Sequence, residues 1–376
     1  MESLGSDEAY QARTLPFVSR SFALTIPQLP AALRTSVTCA YLLCRIADTI
    51  EDEPALMPAQ TLAFLQRFSG VLAGSGDARL LGREIEQRLS ERTLPAEREL
   101  VSNLPRVISV LDSLREPQRA AIRRCVELMC FGMPKFQFTA SVKGLARLSD
   151  LDEYCYYVAG VVGEMLTDLF CDYSARIAQN RAALTANSVS FAQGLQMTNI
   201  LKDVWEDRSR GACWLPQEVF SRHGLDLAEI SAAARDPRFA AALNELIGVA
   251  HAHLRNALEY TLLIPREETG LRRFCLWAIG LAVLTLRKIA RNPQFSAGFE
   301  VKVSRDMVAM TLKLSNAALR NDWMLRRLFA LAAHRLPLAR LDVLQSLRGT
   351  ELAATVTGTA AEGESALRRH SGGSRP

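Results

Sequence analysis

The sequence predicts an all-α protein built as a single domain. Apolar residues recur at helical spacing along almost the whole chain, and the apolar/polar alternation of β-strands is nearly absent. Most prolines fall between the periodic segments, where they end helices instead of interrupting them. No low-complexity linker divides the first ~345 residues, so no domain boundary is predicted there.

The helical periodicity predicts eleven helices in chain order. Pro134 lies inside the fifth of them and is expected to kink or break it. Residues 1–15 are interpreted as an N-terminal extension and 16–348 as the folded domain. Residues 349–376 are small and polar, without an apolar face, which predicts a disordered tail. The predicted helices are 31–52, 56–73, 78–91, 96–112, 116–145, 149–179, 183–208, 237–264, 270–291, 304–333 and 338–348.

The charge balance narrows the classes of partner. A formal charge of +5 suits an anionic substrate or a membrane surface, whereas the scattered Lys and Arg residues argue against nucleic acid. The 49% of hydrophobic residues is enough for a sizeable core. Oligomeric state leaves no signal in the sequence.

The cysteines and the N-terminus predict a cytoplasmic protein. Eight cysteines form no CxxC pair, and those in apolar helices are interpreted as buried small side chains in a reducing compartment. The acidic N-terminus does not look like a signal peptide, and no uninterrupted apolar run approaches the roughly 20 residues that span a bilayer. Peripheral membrane contact stays open, but no transmembrane helix is predicted.

Two acidic pentads are the most informative feature. Both read DxxED: the first pentad is residues 48–52 and the second pentad is residues 203–207. Positions i, i+3 and i+4 share one helix face, so each segment is expected to present three carboxylates beside apolar surface. Crowded carboxylates are unfavourable unless a cation compensates them, and oxygen ligands suit Mg²⁺. The pentads are therefore predicted to hold Mg²⁺ across one cavity.

A single DxxED is more often a solvated helix face, so the flanking residues decide the interpretation. Apolar segments precede both pentads, Arg45 lies one turn before Asp48, and Lys202 adjoins Asp203. Carboxylates, Mg²⁺ and nearby cations together can bind a diphosphate and favour its departure.

Two other segments leave alternatives open. Residues 19–22 (SRSF) are either a capped helix entry or a set of hydroxyl and guanidinium donors for phosphate oxygens. Residues 154–163 combine aromatics with glycines, which fits either close helix packing or an apolar cavity where Tyr157 offers a polar tip. Motifs of nucleotide, α/β-hydrolase and zinc-protease sites are absent from the sequence, and the five histidines form no metal set.

Five motifs in order resemble the squalene/phytoene synthases, the head-to-head prenyl transferases. They are SRSF at 19–22, YLLCRIADTIED at 41–52, FGM at 131–133, YCYYVAGVVGE at 154–164 and QMTNILKDVWEDR at 196–208. The resemblance implies the helical isoprenoid-synthase fold around a central cavity, with 16–348 as its catalytic domain. It also implies Mg²⁺ as cofactor and two allylic prenyl diphosphates as substrates.

The resemblance assigns roles residue by residue. Tyr157 would transfer the proton that closes a cyclopropane ring. The Mg²⁺ ligands or their close partners would be Asp48, Glu51, Asp52, Asp203, Glu206 and Asp207, of which the four aspartates count as catalytic. The substrate-binding set would be Ser19, Arg20, Ser21, Phe22, Tyr41, Arg45, Gln196, Asn199, Lys202 and Phe274.

Within the family, the chain looks more like squalene synthases than phytoene synthases. Phe274–Cys275 and the segment 292–312 carry this likeness, and the second points to Lys302 and Arg305 as contacts of NADPH. The expected activity joins two farnesyl diphosphates to presqualene diphosphate and reduces it to squalene. The alternatives are dehydrosqualene or phytoene without reductant, presqualene diphosphate alone, or a helical scaffold that binds prenyl lipids without catalysis.

The chain departs from the family pattern mainly around the second pentad. Lys202 stands where the family usually has arginine, and Ala212 follows Gly211 where a second arginine is typical. Arg208 and Arg210 are the nearest residues able to replace that lost charge.

Overall fold

The computed structural model describes residues 2–19, 21–232 and 236–341. Within these ranges the chain is helical without a named strand, and a single β-bridge joins Leu145 to Pro216. The predicted all-α class is thereby confirmed. Residues up to 339 form one compact unit, and 340–376 are assigned to another, almost all of it outside the described residues. The helices are α1 (Glu2–Val18), α2 (Phe22–Thr25), α3 (Ala31–Glu51), α4 (Pro58–Leu72), α5 (Ala78–Glu86), α6 (Pro95–Ser102), α7 (Leu104–Ser113), α8 (Glu116–Gln137), α9 (Leu148–Cys155), α10 (Val161–Tyr173), α11 (Ala175–Ala178), α12 (Arg181–Lys202), α13 (Val204–Ser209), α14 (Gln217–Arg222), α15 (Pro237–Leu263), α16 (Thr269–Arg291), α17 (Arg305–Ala318) and α18 (Asp322–Ala332).

A ring of helices positions the two pentads. α3 packs on α8, α8 on α10, α10 on α12, and α12 on α16. The short 3₁₀ turn Ile26–Gln28 contacts both α16 and α3 and closes the ring. The first pentad lies at the C-terminal end of α3, and the second lies where α12 meets α13. Both acidic segments therefore stand at helix ends.

Several predicted helix boundaries are wrong. The predicted helix 183–208 is broken at Asp203, which separates α12 from α13. The predicted helix 149–179 contains a π-helical turn, Tyr156–Gly160, between α9 and α10. It is also interrupted after Tyr173, where α10 ends and the short α11 follows. The helix that contains Pro134 runs through the proline and stops at Gln137, before the predicted end at 145. Residues 338–341 are not helical, and the rest of predicted helix 338–348 lies outside the described residues.

The cysteines are all free and buried, as the sequence indicated. One helix of the described part, α16, is long and apolar enough to cross a membrane by length and composition alone. Of its most apolar window, 56% is buried inside the protein, and α16 packs against α12, α15, α17 and α18. A buried core helix meets the same criterion, so this is weak evidence for a membrane span.

His253 links stability to pH. Burial lowers its pKa to about 4, and its Nδ1 lies 2.8 Å from the Ser190 hydroxyl. Between about pH 6.5 and 4, His253 binds a proton in the unfolded chain but not in the folded protein. The free energy of unfolding therefore decreases as the pH is lowered through this range. We expect His253→Gln to remove up to about 3 kcal/mol of this fall in denaturant titrations. An unchanged slope, matching an exposed His334→Gln control, would contradict this assignment.

Candidate active site

The first pentad lies at the C-terminal end of α3. The Arg45 guanidinium donates to Glu97 Oε1 at 2.6 Å, and its other nitrogen lies 3.9 Å from Asp48 Oδ2. Asp48 is half-buried, Glu51 is buried and Asp52 is exposed. The three carboxylates of the first pentad therefore differ in their access to solvent.

The first pentad carries more negative charge than its surroundings compensate. Burial raises the pKa of Asp48 to about 7; Arg45 opposes this shift, and the charges of Asp52 and Glu97 add to it. Burial and the charges of Asp52 and Asp48 raise the pKa of Glu51 well above its usual value. The surface of Asp52 is accessible to water, but the protein atoms around it displace enough solvent to raise its pKa as well. A bound cation would relieve this repulsion.

The second pentad straddles the junction of α12 and α13. Lys202 Nζ lies 3.0 Å from Asp203 Oδ2, and the Gly298 amide donates to Glu206 Oε1 at 2.7 Å. A Cβ at position 298 would lie 3.0 Å from Asp203 Oδ1 and 3.2 Å from Glu206 Oε1. A larger residue at position 298 would push the 3₁₀ turn Gly298–Val301 and the pentad carboxylates apart by a few tenths of an ångström. Pentad spacing gave no signal for this contact.

The two pentads meet through Asp52, Asp207 and Arg210. Arg210 Nη2 lies 2.5 Å from Asp207 Oδ1, and its charge also lowers the pKa of Asp52. Withdrawal from water raises the pKa of Asp207, Arg210 opposes the shift, and the charges of Asp203 and Asp52 reinforce it. Carboxylates that are 155 positions apart in sequence therefore face one another.

Arg208 and Arg210 have different surroundings. The Arg208 guanidinium donates to the backbone carbonyls of Val142 and Leu227 at 2.8 and 2.7 Å, and to that of Ile230 at 3.1 Å. The Arg208 guanidinium therefore stabilises the loops that carry these three carbonyls. Arg210 is largely exposed and directed at the pentads. Of the two arginines that could compensate for Ala212, Arg210 has the suitable position.

The six pentad carboxylates do not form a finished metal cage. Throughout the described ranges, no three Asp, Glu, His or Cys side chains are grouped closely enough to hold a metal ion by themselves. The expectation that each pentad presents three converging carboxylates is therefore wrong, because Glu51 turns into the core and a helix break divides the second pentad. Mg²⁺ typically takes few carboxylates and completes its shell with water and substrate phosphates.

The donor chemistry at the pentads nevertheless fits Mg²⁺. All the side-chain donors are hard carboxylate oxygens, and crowding raises the pKa of several of them. Glu206 Oε2 is buried and has no hydrogen-bond partner, although its other oxygen accepts the Gly298 amide. A buried anionic oxygen without a donor is costly, and a cation would satisfy it.

The N-terminal SRSF segment reaches the first pentad through Tyr41 of α3. Tyr41 donates to the Val18 carbonyl at 3.0 Å, and the Phe22 ring lies 5.2 Å from the Tyr41 ring. Ser19 Oγ accepts the Phe22 amide at 3.0 Å, so the capped-turn interpretation is realised locally. Ser21 is exposed. Arg20, also predicted to bind substrate, lies outside the described residues.

α12 directs Gln196, Asn199 and Asp203 to one face, because they are separated by three and four positions. Gln196 is half-buried and Asn199 is exposed. Neither amide bonds to another described side chain, so both are available for a ligand.

Tyr157 lies in the π-helical turn, packed on the FGM motif. Its ring covers Gly132, where a Cβ would lie 2.0 Å from the Tyr157 Cγ, so the two motifs require each other. The rings of Phe131 and Phe136 lie 6.3 and 6.4 Å away. Burial raises the pKa of Tyr157, and the charge of Glu153 adds to the shift. π-Helical turns often occur at functional sites.

Tyr154 is the aromatic residue that contacts the pentads electrostatically. Burial raises its pKa well above the usual value, and the charges of Glu51, Asp52 and Asp207 add to this shift. Its ring stacks on Trp214 with centroids 4.3 Å apart. Sequence reasoning did not assign either residue to the site, although Tyr154 begins one of the five motifs.

The three remaining predicted residues lie apart from the pentad carboxylates. Phe274 is buried and packs edge-to-face on Phe170 at 6.2 Å, so its role as a substrate contact stays a prediction. Lys302 and Arg305 are exposed and form no ion pair with a described residue. They follow in sequence the 3₁₀ turn Gly298–Val301, whose Gly298 amide donates to Glu206.

Comparisons with known proteins agree with this geometry. The profile of the squalene/phytoene synthase family matches residues 15–307. Squalene synthases of Candida albicans and Botryococcus braunii are 28% and 30% identical to the chain, over 76% and 82% of its length. The matched parts make up 62% and 65% of those relatives, so the chain spans less than two thirds of them. A solved complex of TcSQS with a ligand is 25% identical, with a TM-score of 0.71 over 87% of this chain and 91% of that one.

Proposed function

Because the chain belongs to the squalene/phytoene synthase family, we propose that it joins two farnesyl diphosphates head to head and reduces the product to squalene. Presqualene diphosphate is the intermediate between the two steps. The observation that best supports this proposal is that the two acidic pentads approach each other at Asp52 and Asp207, with Arg210 interacting with both. This arrangement provides one site for two diphosphates.

In this proposal the pentads bind and orient the diphosphates. Asp48, Asp52, Asp203 and Asp207, with Glu206, would hold Mg²⁺, which supplies charge neutralisation for the departing diphosphate. Arg45 and Lys202 already lie beside the pentads and would bind phosphate oxygens. Glu97 holds Arg45 in place through its 2.6 Å bond.

We assign the proton transfer to Tyr157 and expect the neighbouring aromatic rings to keep water away from its hydroxyl. Its hydroxyl forms no hydrogen bond with a described residue, so Oη is available to take or give a proton at the substrate. Phe131 and Phe136 line the same side, and their π faces suit a carbocation.

The reductive step would use NADPH, which supplies a hydride when bound. Lys302 and Arg305 are exposed cations without an ion pair to a described residue, and the cofactor carries anionic phosphates. Two relatives that match most of this chain are named squalene synthases, which supports the reductive outcome. We place the protein in the cytoplasm, with peripheral contact to a membrane.

The product of the purified protein tests the proposal. Incubation with Mg²⁺ and farnesyl or geranylgeranyl diphosphate, with and without NADPH, should give squalene only from the C15 substrate with NADPH present. A conjugated C30 or C40 hydrocarbon regardless of NADPH would instead indicate a dehydrosqualene or phytoene synthase. Untouched substrate under all conditions would support a lipid-binding scaffold.

Arg210 should carry the charge that Ala212 lacks. We expect Arg210→Gln to raise KM for farnesyl diphosphate about tenfold or more, because a charge-assisted bond contributes ~1.5–3 kcal/mol. Thermal stability should stay unchanged, since the side chain is largely exposed. Arg208→Gln should leave KM unchanged and lower Tm, because three backbone carbonyls lose their hydrogen-bond donor. Equal KM shifts in both variants would contradict this division.

A further inference from the structure

The α17–α18 hairpin exposes apolar side chains on its outer face. The inner sides of both helices pack near α16 in a cluster that includes Ala318 and Leu325. On the outside, Trp323, Leu331 and Met310 are 67%, 66% and 57% exposed. Leu314 and Met324 are exposed as well. We call these five exposed side chains, together with the Lys and Arg residues between positions 305 and 335, the outer face.

Positive charge accompanies this apolar surface. Residues 305–335 contain six Lys and Arg against two Asp, a net +4 in a chain whose total is +5. Asp322 is already bonded to Arg272 and Arg266, which lowers its contribution to the outer potential. Lys313, Arg320, Arg327 and Arg335 form no ion pair with any residue the structure describes. The outer face is therefore apolar and basic at once.

The arrangement of side chains is that of an interfacial amphipathic helix. Trp323, Arg327 and Leu331 recur at four-residue spacing along one side of α18, and the Arg327 guanidinium lies 5.7 Å from the centre of the Trp323 ring. Aromatic and aliphatic residues that insert at headgroup level, flanked by Lys and Arg, are typical of helices that lie on anionic membranes. Met57, which is also exposed, has no Lys or Arg within four positions in the sequence.

Charge also argues against two other occupants. A second copy of the chain would bring an identical basic face and repel the first. Residues 342–376 contain four acidic and four basic side chains, so they offer no net attraction. An anionic lipid surface complements the outer face in both its apolar and its charged character.

We propose that the outer face of α17–α18 docks the protein on a bilayer that contains anionic lipids. α17 begins directly after the turn in which Gly298 contacts the second pentad, so docking brings the membrane to the side of the molecule that carries Lys302 and Arg305. A hydrocarbon product would then have a bilayer nearby. Docking is measured as binding of the protein to lipid vesicles, so its test does not depend on catalysis.

Vesicle co-sedimentation of the full chain tests this inference. We expect binding to phosphatidylcholine vesicles that contain phosphatidylglycerol, weak binding to phosphatidylcholine alone, and loss of binding as salt rises. Lys313→Gln with Arg327→Gln should weaken partitioning about twentyfold, roughly fivefold per charge. Trp323→Ala with Leu331→Ala should weaken it about tenfold or more. Each variant should keep the wild-type Tm.

Matched controls separate docking from general surface effects. Met57→Ala with Leu80→Ala, and Arg79→Gln with Arg92→Gln, remove equivalent exposed groups elsewhere and should bind as the wild type does. Equal losses in these controls, or indifference to phosphatidylglycerol, would overturn the proposal. A dimer that dissociates on Trp323→Ala with Leu331→Ala, measured by light scattering, would assign the face to a second copy instead.

Discussion

Asn in place of Asp52 or Asp207 is expected to lower turnover of farnesyl diphosphate about a hundredfold or more while the fold stays intact. Each substitution removes an anionic oxygen at the point where the pentads meet. Losing one group that stabilises transition-state charge typically costs a few kcal/mol of barrier. Initial rates at saturating Mg²⁺ measure the effect.

Thermal unfolding separates catalysis from folding in these variants. Desolvation raises the pKa of both carboxyls, so the ionised forms are unfavourable in the folded protein. A neutral amide relieves that repulsion, and Tm should stay equal or rise. Glu91→Gln, at an exposed position away from the site, serves as the control. Activity lost only in proportion to a falling Tm would mean that the pentads act as structure and not as chemistry.

Tyr157→Phe is expected to slow formation of presqualene diphosphate by roughly a hundredfold or more, within the range of a single general acid–base group. The ring should keep its packing on Gly132 and on the neighbouring phenylalanines, so the fold should not change. Removing the hydroxyl leaves no described partner unpaired. Single-turnover experiments with labelled farnesyl diphosphate isolate this step from product release.

Tyr156→Phe is a matched control for that experiment. Tyr156 is the adjacent residue and similarly buried, but its hydroxyl donates to Glu164 at 3.5 Å, whereas the Tyr157 hydroxyl has no described partner. We expect it to retain most of the wild-type rate. Similar losses in both variants would show that the rate responds to aromatic packing and would remove Tyr157 from the mechanism.

The fold was largely predictable, because helical periodicity and proline positions are local signals. The predicted class and family are confirmed. The boundaries failed where tertiary contacts override periodicity. The break at Asp203 divides a segment whose apolar pattern runs through, and the Gly298 turn occupies the adjacent space. Residues 2–15 of the segment interpreted as an extension lie in α1, which is anchored by Arg106 on Asp7 at 2.8 Å.

The candidate site was predictable as a set of motifs but not as a geometry. Spacing identified the two pentads, yet it gave no hint that Glu97 would hold Arg45 or that Gly298 would contact Glu206. Both contacts join residues more than 50 positions apart. The sequence left Arg208 and Arg210 equivalent, whereas in the structure Arg208 donates to loop carbonyls and Arg210 pairs with Asp207. Catalytic and binding roles remain predictions.

A crystal structure with Mn²⁺ and an unreactive farnesyl thiodiphosphate tests most directly the claim that the two pentads form one diphosphate site. We predict anomalous scattering peaks beside Asp52 and Asp207, with diphosphate groups bound between the pentads and Arg210 on a phosphate oxygen. A recess behind the second pentad, lined by Trp205, Phe239 and other residues, is a rival location. The analogue bound there, with metal-free pentads, would contradict the account.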